Sequence, residues 1–425
     1  MNLENILITD YHCASNRGDA AILEGVIFSL QKYFPDAKIT VMTDYPIPAR
    51  IINQVNAVRQ VMVPFRWTNI RKNIAGVYAL IAAAVFSKLG ITLPGMKNIR
   101  RKLSPYLEAD LIVSTGGSFL NDFYAPGNLG RLWGLLFAKL LGKTVVLYAQ
   151  SIGPINRTPY RQIARYVLNR MDLIILRDSK SKEILKSIGV TNPPIYITAD
   201  AAFNMPLTDS KPMQLWRYED VIPLDKVAGL KVSISVRRWH YYPTPNSHKQ
   251  YVETMAALAD WLIAEKNAQI FFISTCTGFA GYHTDDRVVA HEVINHMKCL
   301  KKKNPVILYG EYTPQELSTI YGYMDLHIGT RMHSIIFAML AKTPVLAIQY
   351  EFKTAELMKI FGLEDYLVNI NNIKFEELKG KVEKALRNRE QLKRQISSKL
   401  PEIRTKSEQS AKLIFEMIRD KGVKK

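Results

Sequence analysis

The sequence predicts an α/β protein made of two doubly wound, Rossmann-like domains facing a cleft, with helices at the C-terminal end. Short apolar strands alternate with helices of 3.6-residue periodicity from Ile6 to Thr198, the rhythm breaks over Pro206 to Pro223, and it restarts at Val232. The chain has 425 residues, 48% of them hydrophobic, and single cores seldom grow beyond about 250–300 residues, so two cores are expected.

In chain order the first domain reads as strands Ile6 to Thr9, Ile39 to Thr43, Leu111 to Thr115, Val145 to Ala149, Leu173 to Leu176 and Ile195 to Thr198. Helices Ala20 to Tyr33, Leu129 to Leu141 and Tyr160 to Met171 lie between several of them. Strand, Gly- or Ser-bearing turn and amphipathic helix in repetition is the pattern of βαβ units. The second winding has strands Val232 to Val236, Ile270 to Ser274, Val306 to Tyr309, Leu326 to Ile328 and Val345 to Ile348. Helices Tyr251 to Glu265, Thr313 to Tyr323 and Lys353 to Phe361 accompany them. From Phe375 onward Lys, Glu, Arg and Leu dominate, which predicts helices with solvated charged faces. The expected domains are residues 1–222 and 223–395, with a helical tail at 396–425. Two such domains make the architecture GT-B-like, an analogy of fold that does not assign a function.

The 57 Lys and Arg against 38 Asp and Glu give a formal charge of +19, which favours anionic partners: nucleic acid, acidic lipid or phosphorylated metabolites. No basic groove or aromatic stacking platform stands out, so nucleic acid is not expected as a partner. Cys13, Cys276 and Cys299 are odd in number and lack metal-ligand spacing, which indicates neither a disulfide framework nor a metal site and fits a reducing cytoplasm. Asn5-Ile6-Leu7-Ile8-Thr9 is too short and polar for a secretory apolar region, so a cytoplasmic location is expected. The apolar stretch Ile74 to Ser87 stops at Lys88, short of the ~20 residues of a spanning helix. Arg71, Lys72, Lys97, Arg100, Arg101 and Lys102 flank it. Two readings remain open: a segment resting peripherally on the anionic inner leaflet, or a buried helix beside a solvated basic loop.

The residues that carry chemistry sit at strand ends. Gly329-Thr330-Arg331-Met332-His333-Ser334 lies where an apolar strand gives way to an apolar helix. A guanidinium, an imidazole and helix N-terminal N–H groups there form an anion site at the carboxyl edge of a parallel sheet. Arg237 and Arg238 directly follow the strand Val232 to Val236, and one of them is expected to project into the cleft. Lys353 lies just after the strand Val345 to Ile348 and adds a point charge. A small dianion bearing carboxylate and phosphate suits that set. In the first domain, Asn16-Arg17-Gly18-Asp19 follows the first strand. Here Asp19 is either a helix cap or, with Asn16, faces the cleft. It is not a dinucleotide fingerprint. Thr115-Gly116-Gly117-Ser118, with Asp122 beyond, and Gln150-Ser151-Ile152-Gly153-Pro154 end two further strands, so three turns at one sheet edge can line one pocket. Arg177-Asp178 and Asp200 are equally read as sugar contacts or as an ion pair and cap. His12, His240 and His283 lie in loops without comparable company.

At these residues the chain resembles the polysaccharide pyruvyl transferase family, most of all its colanic-acid-type members. The resemblance rests on the order and spacing of Asn16-Arg17-Gly18-Asp19, Gly116-Gly117-Ser118, Ser151-Ile152-Gly153-Pro154, Arg177-Asp178, Ser274-Thr275-Cys276-Thr277-Gly278 with Asp285-Asp286-Arg287, the Gly329-to-Ser334 motif, and Tyr350-Glu351-Phe352-Lys353. Many relatives have a third Gly where Ser118 stands. The resemblance implies transfer of a pyruvyl group from phosphoenolpyruvate, as co-substrate, to a sugar, making a cyclic ketal on two hydroxyls and releasing phosphate, with no cofactor and no metal. It implies catalytic roles for His333 and Arg331, and donor binding by Arg237 or Arg238 together with Ser334 and Lys353. Acceptor binding or orientation then falls to Asn16, Asp19, Gly116, Gly117, Ser118, Asp122 and Ser151. The implied acceptor is a lipid-linked oligosaccharide at the inner leaflet. The rival reading is a GT-B glycosyltransferase with a nucleotide-sugar donor, whose diphosphate the same cationic groups would serve.

Overall fold

The computed structural model describes residues 3–61, 97–207, 214–217, 220–239, 246–299 and 304–423, with Tyr78, Ile81, Ala82, Val85 and Thr244. Most of the apolar segment Ile74 to Ser87, its flanking Arg71 and Lys72, and His240 lie outside the described residues. Residue contacts divide the chain into two units. One comprises Met1–Cys13, Ile22–Asn204 and Thr405–Lys425, and the other comprises Ala14–Ala21 and Met205–Arg404.

The first unit is built on a parallel sheet of β1 (Asn5–Thr9), β2 (Lys38–Thr43), β3 (Ala57–Arg59), β4 (Leu111–Ser114), β5 (Thr144–Gln150), β6 (Leu173–Leu176) and β7 (Ile195–Ile197). Their spatial order is β3-β2-β1-β4-β5-β6-β7, so the winding reverses between β1 and β4. The register Leu7↔Ile112 and Ile112↔Val145 lines up aliphatic side chains across the reversal. β4 and β6 are buried along their whole length, which explains why they read as continuous apolar runs and not as alternating ones.

The second unit contains the antiparallel pair β8 (Gln214–Arg217) and β9 (Asp220–Pro223), and a second parallel sheet. Its strands are β10 (Lys231–Ser235), β11 (Gln269–Phe272), β12 (Val306–Ile307), β13 (Leu326–Gly329), β14 (Val345–Gln349) and β15 (Leu367–Asn369). The order β12-β11-β10-β13-β14-β15 again reverses once, between β10 and β13. Ser235 pairs with Gly329 in register, so the arginines after β10 and the motif after β13 leave neighbouring strand ends. Open α/β sheets bind ligands at such a reversal.

The units are not the contiguous blocks 1–222 and 223–395, and the end of the chain is not an independent tail. Residues 405–425 pack on the first unit: Ser407 donates to the carbonyl of Asp200, Ser410 and Thr198 share a hydroxyl hydrogen bond of 2.8 Å, and Phe415 meets the rings of Tyr33 and Phe34. The short segment Ala14–Ala21 belongs to the second unit for reasons given below.

Leu147 lies in the middle of β5, is fully buried, and belongs to the aliphatic core of the first unit. Leu147→Ala is expected to lower the unfolding free energy of that unit by roughly 3 kcal/mol, through lost apolar burial plus the cavity left behind. Urea unfolding should show the midpoint falling with little change in slope.

Candidate functional site

In the second unit β13 runs into the helix Met332–Leu340 with Arg331 as the residue at the junction, in extended conformation (φ −84°, ψ 123°). The Arg331 side chain is buried and its guanidinium is held by Asp286: Nε donates to both carboxylate oxygens at 3.2 and 3.0 Å, and Nη2 donates to Oδ1 at 2.6 Å. Asp286 opens the helix Asp286–His296 and also accepts from the backbone N–H of Cys276 at 3.1 Å. Burial disfavours the charge on Arg331, but the Asp286 carboxylate outweighs it and keeps the guanidinium firmly protonated. The fork is thereby rigid, with Nη1 outside the pair.

The turn itself rests on a buried chain of polar side chains. Ser233 contacts Nδ1 of His327 at 2.9 Å, Nε2 of His327 contacts the Ser334 hydroxyl at 2.8 Å, and Ser334 donates to the Arg331 carbonyl at 2.6 Å. Ser235 and Ser334 join at 2.7 Å. Burial pulls the His327 imidazole down to about 3, so it is neutral near pH 7. Ser334 was expected to bind the donor. It is fully buried and occupied by this chain, so its role is to hold the turn. The sequence reading missed His327. Its signal was a histidine inside an otherwise apolar strand, a position that demands buried partners.

The two arginines after β10 diverge. The Arg237 guanidinium stacks on the Tyr350 ring at 4.1 Å and lies 5.1 Å from the Trp239 ring, whereas the exposed Arg238 pairs with Glu292, which also meets His248 at 2.7 Å. Lys353 pairs with Glu351 at 2.7 Å and lies 5.6 Å from the same Tyr350 ring. Burial pushes the Cys276 thiol up to about 12, which leaves it protonated and inert; the charges of Arg331, Asp286, Arg237 and Asp19 all act on it. The Ser235–Gly329 register, the Asp286–Arg331 pair and the bond from Cys276 N–H to Asp286 gather Arg331, Asp286 and Cys276 beside the strand end that Arg237 leaves, and Arg238 is directed elsewhere.

Asp19 belongs to that neighbourhood because its segment is fastened to the second unit. Asn16 and Cys276 form an antiparallel bridge, Arg17 N–H donates to Thr275 O at 2.7 Å, and Thr277 N–H donates to Ser15 O at 3.1 Å. The Arg17 side chain, 1% exposed, fills the join: Nη1 donates to Ala14 O at 2.6 Å, Nη2 to Glu311 at 2.5 Å, and Nε to the carbonyl of Tyr312. Glu311 also accepts from Thr277 Oγ1 at 2.6 Å and from Arg287 at 3.2 Å. The helix Arg17–Tyr33 is capped by Asn16, whose Oδ1 accepts from Gly18 N–H at 3.1 Å, while Asn16 Nδ2 donates to Asp19 at 3.0 Å. Asp19, read from the sequence as a cap or a cleft residue, is thus oriented by the cap and is not the cap itself. A Cβ on Gly18 would lie 2.2 Å from Nδ1 of His333 and 2.5 Å from its Cγ. The glycine is needed because the imidazole lies directly on it.

In the first unit the remaining candidates stand at the ends of β4 and β5. Gly117 adopts φ 151°, bridges to Gln150, and has the Phe119 ring 2.2 Å from where a Cβ would be. Gly116 is hemmed in by Ile22 and the carbonyls of Ala149 and Tyr148. Ser118 is half-buried and its carbonyl accepts from Asn121. Asp122 is buried and accepts from the N–H groups of Asn156 at 2.7 Å and Arg157 at 3.4 Å, an arrangement that shapes a loop. Ser151 is buried between Asp178 at 2.5 Å and Arg177 at 2.7 Å. Arg177 pairs with Asp200, and Asp178 caps the helix Ser179–Ser187, so the ion-pair-and-cap alternative describes these residues. Asp10, absent from the sequence reading, is buried after β1 at φ 61°, accepts from Ser114 at 2.7 Å and pairs with Arg131 at 3.5 Å. Burial, only partly offset by Arg131, raises its pKa.

Two outcomes follow from the buried groups. Arg17→Ala leaves two carbonyls without their donor and is expected to cost about 3 kcal/mol of stability in the second unit, measurable by urea unfolding. For His327 the unfolded ring binds its proton near 6.5 and the folded ring near 3. The unfolded state therefore holds more protons between those values, and stability falls as pH drops through that window, by at most about 1.4 kcal/mol per pH unit. His327→Gln should flatten that decline in unfolding free energies compared at about pH 7 and pH 4; equal slopes in both proteins would contradict the assignment.

Comparison with known proteins extends the geometry. AmsJ, an amylovoran biosynthesis protein of Erwinia amylovora, is 28% identical over 404 residues, which cover 92% of this chain and 94% of AmsJ. A putative UDP-N-acetylglucosamine 2-epimerase from Listeria monocytogenes has a similar fold, with TM-score 0.64 and 10% identity over 99% of this chain and 97% of that one. HepE from Anabaena, solved in complex with UDP and glucose, gives TM-score 0.59 and 12% identity over 98% of this chain and 100% of its own. At such identities these two structures speak for the GT-B-like fold alone. Among the described residues no helix is long and apolar enough to cross a membrane. Residues 16–351 match the family model for polysaccharide pyruvyl transferase, and the chain belongs to that family.

Proposed function

We propose that this protein moves a pyruvyl group from phosphoenolpyruvate onto a sugar of an exopolysaccharide precursor, of the amylovoran or colanic-acid kind, forming a cyclic ketal and releasing phosphate. The observation that carries the reading is the gathering of Arg331, Arg237 and His333 in one neighbourhood of the second unit, with Arg331 locked by Asp286. Two guanidinium groups at adjacent strand ends match the two anionic groups of a three-carbon phosphorylated acid. Lys353 supports the donor end through the Tyr350 ring that it shares with Arg237.

In this reading His333, as imidazolium, protonates the methylene carbon of the donor while the arginines hold phosphate and carboxylate. A sugar hydroxyl adds to the oxocarbenium-like carbon, phosphate departs, and a second hydroxyl closes the ring. The reaction needs neither metal nor redox cofactor. The acceptor is a lipid-linked oligosaccharide that the protein meets at the anionic face of a membrane, an interaction consistent with the charge of +19. In this reading Gly116 and Gly117, whose positions admit no side chain without a shift, contact the acceptor.

His333→Ala is expected to lower kcat by roughly 10²- to 10⁴-fold with the protein still folded. Arg331→Ala is a less clean variant, because it strands the buried Asp286 and should cost roughly 3–5 kcal/mol of stability as well as turnover. The assay is incubation with phosphoenolpyruvate, or with nucleotide sugars, and lipid extract from a strain lacking the protein. Inorganic phosphate release supports the proposal; nucleoside diphosphate release with a transferred sugar would replace it with a glycosyltransferase.

A further inference from the structure

The first unit carries a surface that the transfer chemistry does not use. From Phe123 to Met171 the chain runs 49 residues with seven Lys and Arg and no Asp or Glu. A helix face that is merely solvated carries both signs of charge. The carboxylates at the two ends of the run do not offset it: Asp122 is buried, and Asp172 is held by Lys139 at 2.6 Å and Lys421 at 2.5 Å.

Two helices of this run, Ala125–Leu140 and Tyr160–Leu168, lie side by side over the aliphatic core of the first unit. The second buries Tyr160, Ala164, Val167 and Leu168. At about 3.6 residues per turn that leaves Ile163 and Tyr166 together on one flank and Arg161 and Arg165 on the other. Ile163 is 38% exposed and Tyr166 52%, and the exposed Arg170 stacks its guanidinium on the Tyr166 ring at 3.5 Å. Leu140, 59% exposed, ends the neighbouring helix, and the bond from Lys139 to Asp172, two residues past Arg170, puts it at the same end of the layer. Large apolar side chains exposed singly are ordinary, but a group of them on a basic face without carboxylates calls for a partner. Nucleic acid would answer the charge alone. An anionic bilayer answers both features, because aliphatic and aromatic groups enter its headgroup layer while flexible arginines reach its phosphates.

We propose that the outward face of these two helices is the surface by which the protein docks on an anionic bilayer. Leu140, Ile163 and Tyr166 enter the headgroup layer, and Arg161, Arg165 and Arg170 meet lipid phosphates around them. The inference goes beyond the pyruvyl-transfer reading, since it holds whatever the donor is. It is also independent of the apolar stretch Ile74 to Ser87, which the sequence offers as a different contact.

The test is flotation of the whole chain with vesicles of phosphatidylcholine alone, or mixed equally with phosphatidylglycerol, at about 0.1 M and about 0.5 M salt. The wild type is expected to float with the anionic vesicles, less so at the higher salt, and poorly with the neutral ones. The double variants Ile163→Ser with Tyr166→Ser, and Arg165→Gln with Arg170→Gln, should each bind anionic vesicles about 10-fold or more weakly, with urea midpoints close to that of the wild type. Lys412→Gln with Arg419→Gln removes the same charge from exposed positions of the C-terminal helix and should change binding by no more than about twofold. Equal losses in the two charge variants would reduce the effect to net charge and overturn the assignment. Undiminished binding after loss of Ile163 and Tyr166 overturns it as well, as does a wild type that is retained on duplex DNA but does not float.

Discussion

The buried guanidinium of Arg17 is the constraint on which the site depends. All three of its nitrogens are used inside the second unit, on two carbonyls and the half-buried Glu311 carboxylate, and the arginine itself is shut off from solvent. An arginine so enclosed tolerates little displacement, because any shift strands a charge and two acceptors at once. Its consequence is positional: Asn16, Gly18 and Asp19 are set down beside Cys276 and His333 by a residue that itself takes no part in the chemistry.

A second constraint acts from the opposite direction. Arg331 is gripped along one edge by Asp286, and its carbonyl is held by Ser334, which is in turn held by the neutral His327. Each partner is buried, so the fork and the start of the following helix are oriented before any ligand arrives. Preorganised charge stabilises a developing anion without a reorganisation cost at the moment of reaction. The division of labour between adjacent arginines follows similar logic. Arg237 is stacked on aromatic faces and stays near the buried set, while Arg238 is drawn off to Glu292.

The strands and the strand-to-helix junctions could be read from the chain because their signals are local: apolar runs of four to seven residues, turn residues after them, and periodic helices. The Arg331–His333 motif was legible for the same reason. What escaped was set by partners far along the chain. Nothing near Arg17 announces Glu311, 294 residues away, so the segment reads as a turn of the first domain. The adjacency of β10 and β13 depends on strand order, which periodicity does not encode. Ser334 and Ser151 read from the sequence as ligand contacts because a hydroxyl at a strand end looks the same whether it faces solvent or, as here, closes a buried network. Asp286 stood in a quoted motif, but only the fold shows that it holds Arg331.

The packing of residues 405–425 on the first unit bears on biogenesis. Its sheet is complete in sequence by Ile197, yet Thr198, Asp200, Tyr33 and Phe34 wait for Ser407, Ser410 and Phe415. On the ribosome the earlier-made part must therefore remain unfinished, with apolar surface uncovered, while some two hundred intervening amino acids are added. Such a nascent chain is a natural client for chaperones that shield apolar patches during synthesis.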